Sequence, residues 1–118
     1  MKTVDFLKKA RTFIEDEENW CQRAVAERED GIRTQVTDPA AVKFCALGCL
    51  TKLKWELYPA SSSPESDYHN AWTALSRQLP EEYESVANFN DDSEHSRVLR
   101  LFDKAIEAEE AEEQSVRN

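Results

Sequence analysis

Glycine is nearly missing from this chain. Two glycines and four prolines among 118 residues leave little of the turn chemistry that an all-β fold needs at every hairpin. Missing too is any apolar run near the ~18 residues of a membrane span, and Met1-Lys2-Thr3-Val4-Asp5 lacks the apolar stretch of a signal peptide. Three cysteines, an odd and sparse set, build no disulfide framework and read as free thiols in a reducing compartment. The expectation is a cytoplasmic protein with no membrane partner. Basic residues are scarce in one half only. Residues 1–59 carry ten acidic and ten basic side chains, whereas residues 60–118 carry fourteen and five, so the net charge of -9 belongs to the second half.

What is present is helical periodicity. A length of 118 residues with 40% hydrophobic and 33% charged side chains suits one soluble domain with its own core. Phe6, Leu7, Ala10, Phe13 and Ile14 repeat at helical spacing from Thr3 to about Glu17, with Thr3 or Asp5 as cap. The acidic run Glu15 to Glu18 opposes the dipole at that end, so fraying is expected after Ile14. Trp20, Cys21, Ala24 and Val25 continue an apolar face as a second short helix, stopped at Asp30-Gly31. Ile32 to Val36 alternates as a short extended piece without an evident partner. Asp38-Pro39 reads as a cap followed by a preorganised first turn, opening a helix from Pro39 to about Leu57 that is apolar nearly all round. That helix should be the buried centre.

Beyond the linker-like stretch from Tyr58 to Pro64, Ser63-Pro64-Glu65 opens a helix with Tyr68, Ala71, Trp72, Leu75 and Leu79 on one face. A short acidic helix follows Pro80, and Asn88 to Asp92 reads as a loop by composition. A last helix carries Val98, Leu99, Phe102, Ala105 and Ile106 inward. The predicted fold is therefore all-α: a single compact bundle of about five helices over residues 1–106, with an acidic frayed tail over 107–118.

Few constellations could carry chemistry. Cys45 and Cys49 share a helix face and, with His69 or His95, would be soft ligands for zinc; core placement of both thiols is the reading kept, so no metal and no cofactor are expected. Cys45, His95 and Asn90 are the residue types of a cysteine hydrolase, but a nucleophile prefers a helix N-terminus, and Cys45 is predicted about two turns inside one. Gly48 in mid-helix marks close approach of another helix, or a notch for a ligand. Trp20, Trp55 and Trp72 are read as core aromatics, each an anchor if exposed.

Trp20 with Ala24 and Ala26, then Gly31, then Asp38-Pro39-Ala40-Ala41-Val42-Lys43-Phe44-Cys45-Ala46-Leu47-Gly48, then Val86-Ala87-Asn88-Phe89-Asn90-Asp91, resembles a family of small bacterial and phage proteins catalogued as a domain of unknown function. Its motifs are a Trp, an Ala-Val-x-Trp-Cys-x-x-Gly-Ala-Leu helix and a Trp-Asn-Asp segment. The resemblance runs from about Trp20 to Ile106 and singles out Trp20, Cys45, Gly48, Asn90 and Asp91. The chain departs from it at Phe44 and Phe89, where Trp is common, and at Cys49, where Ala is usual. The family supplies no activity, only a bacterial or phage setting.

No Lys or Arg interrupts the stretch from Arg77 to Arg97, which holds Glu81, Glu82, Glu84, Asp91, Asp92 and Glu94. Such a surface repels nucleic acid and anionic lipid and attracts basic partners. The expected function is non-enzymatic binding of a basic protein, with no direct nucleic-acid contact. A phage or mobile-element accessory protein that blocks a nucleic-acid-binding host or defence protein would fit. The competing reading is a small cysteine-dependent hydrolase or ligand-binding domain built on Cys45 and Asn90-Asp91.

Overall fold

In the computed structural model, which describes residues 1–59 and 65–117, the chain is mostly helical but not all-α. Five helices, α1 (Thr3–Thr12), α2 (Ala46–Leu57), α3 (Glu65–Arg77), α4 (Val86–Asp92) and α5 (His95–Arg117), accompany three short strands, β1 (Ala26–Arg28), β2 (Arg33–Thr34) and β3 (Ala41–Phe44). The strands form one antiparallel sheet in the order β2-β1-β3. Most of the stretch from Tyr58 to Pro64 lies outside the described residues.

Helix α1 buries Phe6, Leu7 and Ala10 completely and packs against α5, α2 and α3. Neither Thr3 nor Asp5 caps it; Lys2 takes the cap position with no side-chain bond. It stops at Thr12, where Phe13 and Ile14 bond back only three residues, to Ala10 and Arg11. The Asp16 side chain then accepts from the Glu18 N–H at 2.9 Å and opens a single 3-10 turn, Glu17–Asn19. A short acidic side chain competing for local backbone donors ends one helix and starts another turn.

The segment predicted as a second helix, from Trp20 to a stop at Asp30-Gly31, is irregular backbone as far as Val25 and then strand β1. Gly31, at φ +85°, is the turn of the β1–β2 hairpin and not a helix stop; its N–H bonds the Arg28 carbonyl, and Ile32 bonds the Asp30 carboxylate. The extended piece at Ile32 to Val36 contains β2, and its partner is β1.

The predicted helix from Pro39 to Leu57 is two elements. Asp38 accepts from the Ala40 N–H through its side chain at 2.9 Å and from the Ala41 N–H through its carbonyl at 2.9 Å. Asp-Pro here makes a turn into β3, because the same cue serves an Asx turn and a helix start. The helix begins only at Ala46. It is nonetheless central: Ala46, Cys49 and Leu50 are fully buried, and α2 packs on α1, α3 and α4.

The core also takes Ala71 and Leu75 from α3 and Val98, Leu101, Phe102 and Ala105 from α5. Trp55 and Trp72, expected inside, are 37% and 39% exposed. The residues read as an Asn-Asp loop form α4, with the Ser85 hydroxyl accepting from the Asn88 N–H at 3.1 Å as N-cap. Glu81, Glu82 and Glu84, read as helical, lie instead in the turns before it. Beyond Ile106, α5 continues as helix to Arg117; Lys2 and Lys8 reach across from the start of α1 to Glu113 and Glu110. Among the described residues no helix is long and apolar enough to cross a membrane.

Candidate functional site

Two orphaned helix ends meet beside the Trp20–Val25 segment. The first N–H groups of α2 and the last carbonyls of α4 have no partners within their own helices. Asn90 and Gln22 supply them. The Asn90 Oδ1 accepts from the Ala46 N–H at 3.0 Å and from the Trp20 indole N–H at 2.8 Å. Its Nδ2 donates to the Cys21 carbonyl at 3.1 Å and to the Asp91 carboxylate at 3.2 Å. All four hydrogen-bonding positions of a fully buried amide are thereby used. Gln22 Nε2 shares its two N–H groups among the carbonyls of Asn90, Asp91 and Ser93, at 3.1, 3.2 and 2.9 Å.

The segment is closed at its other side by β3. Trp20 pairs in parallel with Phe44, the Cys21 N–H donates to the Phe44 carbonyl at 3.1 Å, and the Cys45 N–H to the Val25 carbonyl at 3.3 Å. Gly48 makes room for that carbonyl: a Cβ on Gly48 would lie 1.9 Å from the Val25 oxygen. The close approach is by loop backbone, where a second helix was expected. Trp20, Cys45, Gly48, Asn90 and Asp91 thus form one clasp joining the segment to α2 and α4.

Cys45 is the N-cap of α2, not a residue two turns inside it; its sulfur accepts from the Gly48 N–H at 3.2 Å. The position favours a thiolate, but burial works against one and pushes the Cys45 thiol up. Cys21 is pushed up to about 12 by burial, with Cys45 and Glu27 adding to it, and fully buried Cys49 rises well above the ordinary thiol range by burial. The Cys49 thiol donates to the Ala46 carbonyl at 3.1 Å.

His95 Nε2 donates to the Ile14 carbonyl, 2.6 Å away, and its ring tilts against Trp20 at 5.4 Å between centroids. His69 stacks on Trp72 in α3. A hydrolase would need Asn90 to orient the histidine, and that amide is fully engaged elsewhere. Among the described residues no three of His, Cys, Asp and Glu are grouped to hold a metal ion.

Next to the clasp lies an open cleft of about 680 Å³, walled by the Trp20–Arg23 segment, the end of α4 and the start of α5. Glu17, Asp91, Asp92 and Glu94 line it, against one guanidinium, Arg23. Arg23 holds a left-handed φ of 64°, uncommon for a side chain with a Cβ, and its N–H donates to Asp91 at 2.7 Å. Asp92 accepts from the Tyr83 hydroxyl. Glu17, Asp92 and Glu94 are exposed, and Asp91 is half-buried because two of its contacts are internal.

Of the acidic residues singled out by charge alone, Asp91, Asp92 and Glu94 share this cleft, while Glu81, Glu82 and Glu84 are exposed in the turns before α4. Glu17 was missed, because it sits in the charge-balanced half and only the fold carries it to the cleft. Gln22 and Arg23 were missed as well, since no sequence pattern marks a residue that caps a helix 68 to 71 positions away.

The chain belongs to a family described as Family of unknown function (DUF6197), which it matches over residues 1–108. Comparisons with curated proteins and with solved structures give no match.

Proposed function

We propose that this member of a family of unknown function is a non-enzymatic binding protein whose acidic face receives a basic protein partner. The observation that carries the reading is the convergence of Glu17, Asp91, Asp92 and Glu94 on one open cleft with a single opposing cation. Carboxylates gathered in a concave wall focus the field and raise the local concentration of cations more than the same charges spread over a convex surface. The clasp supports the wall rigidly, which lowers the ordering cost of binding. A host or defence protein that binds nucleic acid presents the basic surface this face would block, and the same field disfavours direct contact with nucleic acid. The thiol chemistry of the competing reading has less support, since Cys45 is only 6% exposed and the Asn90 and His95 side chains it would need bond to other groups.

The test is affinity capture from bacterial lysate at low and at high salt, comparing wild type with Glu17→Lys/Glu94→Lys. A basic protein retained by wild type at low salt, released at high salt and lost in the variant is the expected result. Equal retention by both proteins removes the cleft from the account.

A further inference from the structure

A second, smaller cavity lies near the same α4–α5 junction, and its chemistry is opposite to that of the acidic cleft. It measures about 160 Å³, and its wall contains Arg97, Arg100 and Lys104 with no carboxylate at all. The chain holds 24 acidic residues, and only five basic residues fall in its second half. Three of those five meet here, spaced at i, i+3 and i+7 on one face of α5.

The cations are not held there by ion pairs. Arg100 and Lys104 make no hydrogen bond or ion pair with any described residue. Arg97 is positioned by the Phe89 ring, whose centre lies 5.1 Å from its guanidinium, and by a side-chain hydrogen bond to the Tyr83 hydroxyl. Phe89 and Leu101, each 3% exposed, give the cavity an apolar floor, and Pro80 closes one side. Arg97, Arg100 and Lys104 are all exposed, and like charges on neighbouring turns of a helix repel modestly there. An anion bound among the three cations would offset that repulsion.

We infer that this cavity binds the phosphate of a small phosphorylated organic molecule. Three converging cations match a dianion better than a single carboxylate, and two guanidiniums offer the forked donors that phosphate oxygens accept. The apolar floor receives the organic part of the ester. A polyanion is disfavoured, because exposed Glu81, Glu82 and Glu84 follow Pro80 directly in the chain and their field repels extended phosphate chains more than one compact dianion. This inference stands apart from the acidic cleft and survives its failure.

The experiment is a titration of the full chain, followed by amide chemical shifts and calorimetry, with phenyl phosphate, inorganic phosphate and phenol as probes. Phenyl phosphate should move the Phe89, Arg97 and Leu101 amides saturably, inorganic phosphate should move the same amides more weakly, and phenol should leave them in place. Arg100→Gln/Lys104→Gln should weaken phenyl phosphate about tenfold or more, while the ligand-free variant melts no lower than wild type. No saturable shift at those amides in wild type up to about 10 mM overturns the assignment. So does equal affinity in the variant, or a single-stranded oligonucleotide that occupies the same amides more tightly than phenyl phosphate.

Discussion

Asn90 is where the largest number of independent segments depends on one side chain. It joins the Trp20 indole, the Cys21 carbonyl and the first N–H of α2, and it is fully buried. Removing it strands donors and an acceptor that water cannot reach, each costing about 1–3 kcal/mol. Asn90→Ala should therefore lower stability by several kcal/mol, read as a large drop in denaturant midpoint with helical circular dichroism retained below it. A change within error would mean that the clasp is not structural. The three thiols make a second test at this scale. With Cys21 near 12 and Cys45 and Cys49 raised by burial, native protein at neutral pH should resist iodoacetamide while urea-unfolded protein is alkylated rapidly. Rapid native labelling that maps to Cys45 would restore the hydrolase reading.

At the scale of elements, the helices with a clear apolar stripe were legible. Phe6, Leu7 and Ala10 in α1, Ala71 and Leu75 in α3, and Val98, Phe102 and Ala105 in α5 all face the core as their spacing requires. The strands were not, for a physical reason. Runs of three, two and four residues are too short to display a period of two, and β3 runs almost directly into α2 with Phe44 and Ala46 both buried. An inward strand residue followed by an inward helix residue reads as one all-round apolar helix. Helix α4 was hidden differently: Asn88, Asn90 and Asp91 look like loop residues, but tertiary partners consume the polar atoms of Asn90 that would otherwise compete with its backbone.

Leu50 tests the placement of α2. It is fully buried, so Leu50→Ala should cost about 2–5 kcal/mol by opening a cavity, out of a total of roughly 5–15 kcal/mol. An unchanged melting temperature would contradict the central position of that helix. Asp38 tests the hairpin and the turn into β3. The Thr34 hydroxyl, the Ala40 N–H and the Arg28 guanidinium donate to it, in that order of influence, and hold its carboxyl at about 2 against an ordinary 3.8. A depressed carboxyl stabilises the fold above its unfolded value and loses that contribution as pH falls towards the folded one. The stability difference between wild type and Asp38→Asn should thus be full above about pH 5 and shrink as pH falls from 3.8 towards 2. A difference that stays constant over this range would remove the Asp38 carboxylate from the account of the hairpin.

At the scale of the whole molecule, the charge asymmetry was plain in the sequence, but its focus was not. Glu17 joins the acidic wall only because the 3-10 turn after α1 is carried beside the end of α4, and the basic cavity at Arg97, Arg100 and Lys104 lies within the acidic half. The measurement that bears most directly on the central claim is an amide and indole chemical-shift titration of the intact chain with a short arginine-rich peptide. Binding at the cleft should move the Arg23, Asp91, Glu94, His95 and Ser96 amides together with the Trp20 indole signal. These shifts should vanish at high salt and in Glu17→Lys/Glu94→Lys. Shifts confined to the turns at Glu81, Glu82 and Glu84, or a cleft response that persists unchanged in the charge-reversed variant, would contradict it.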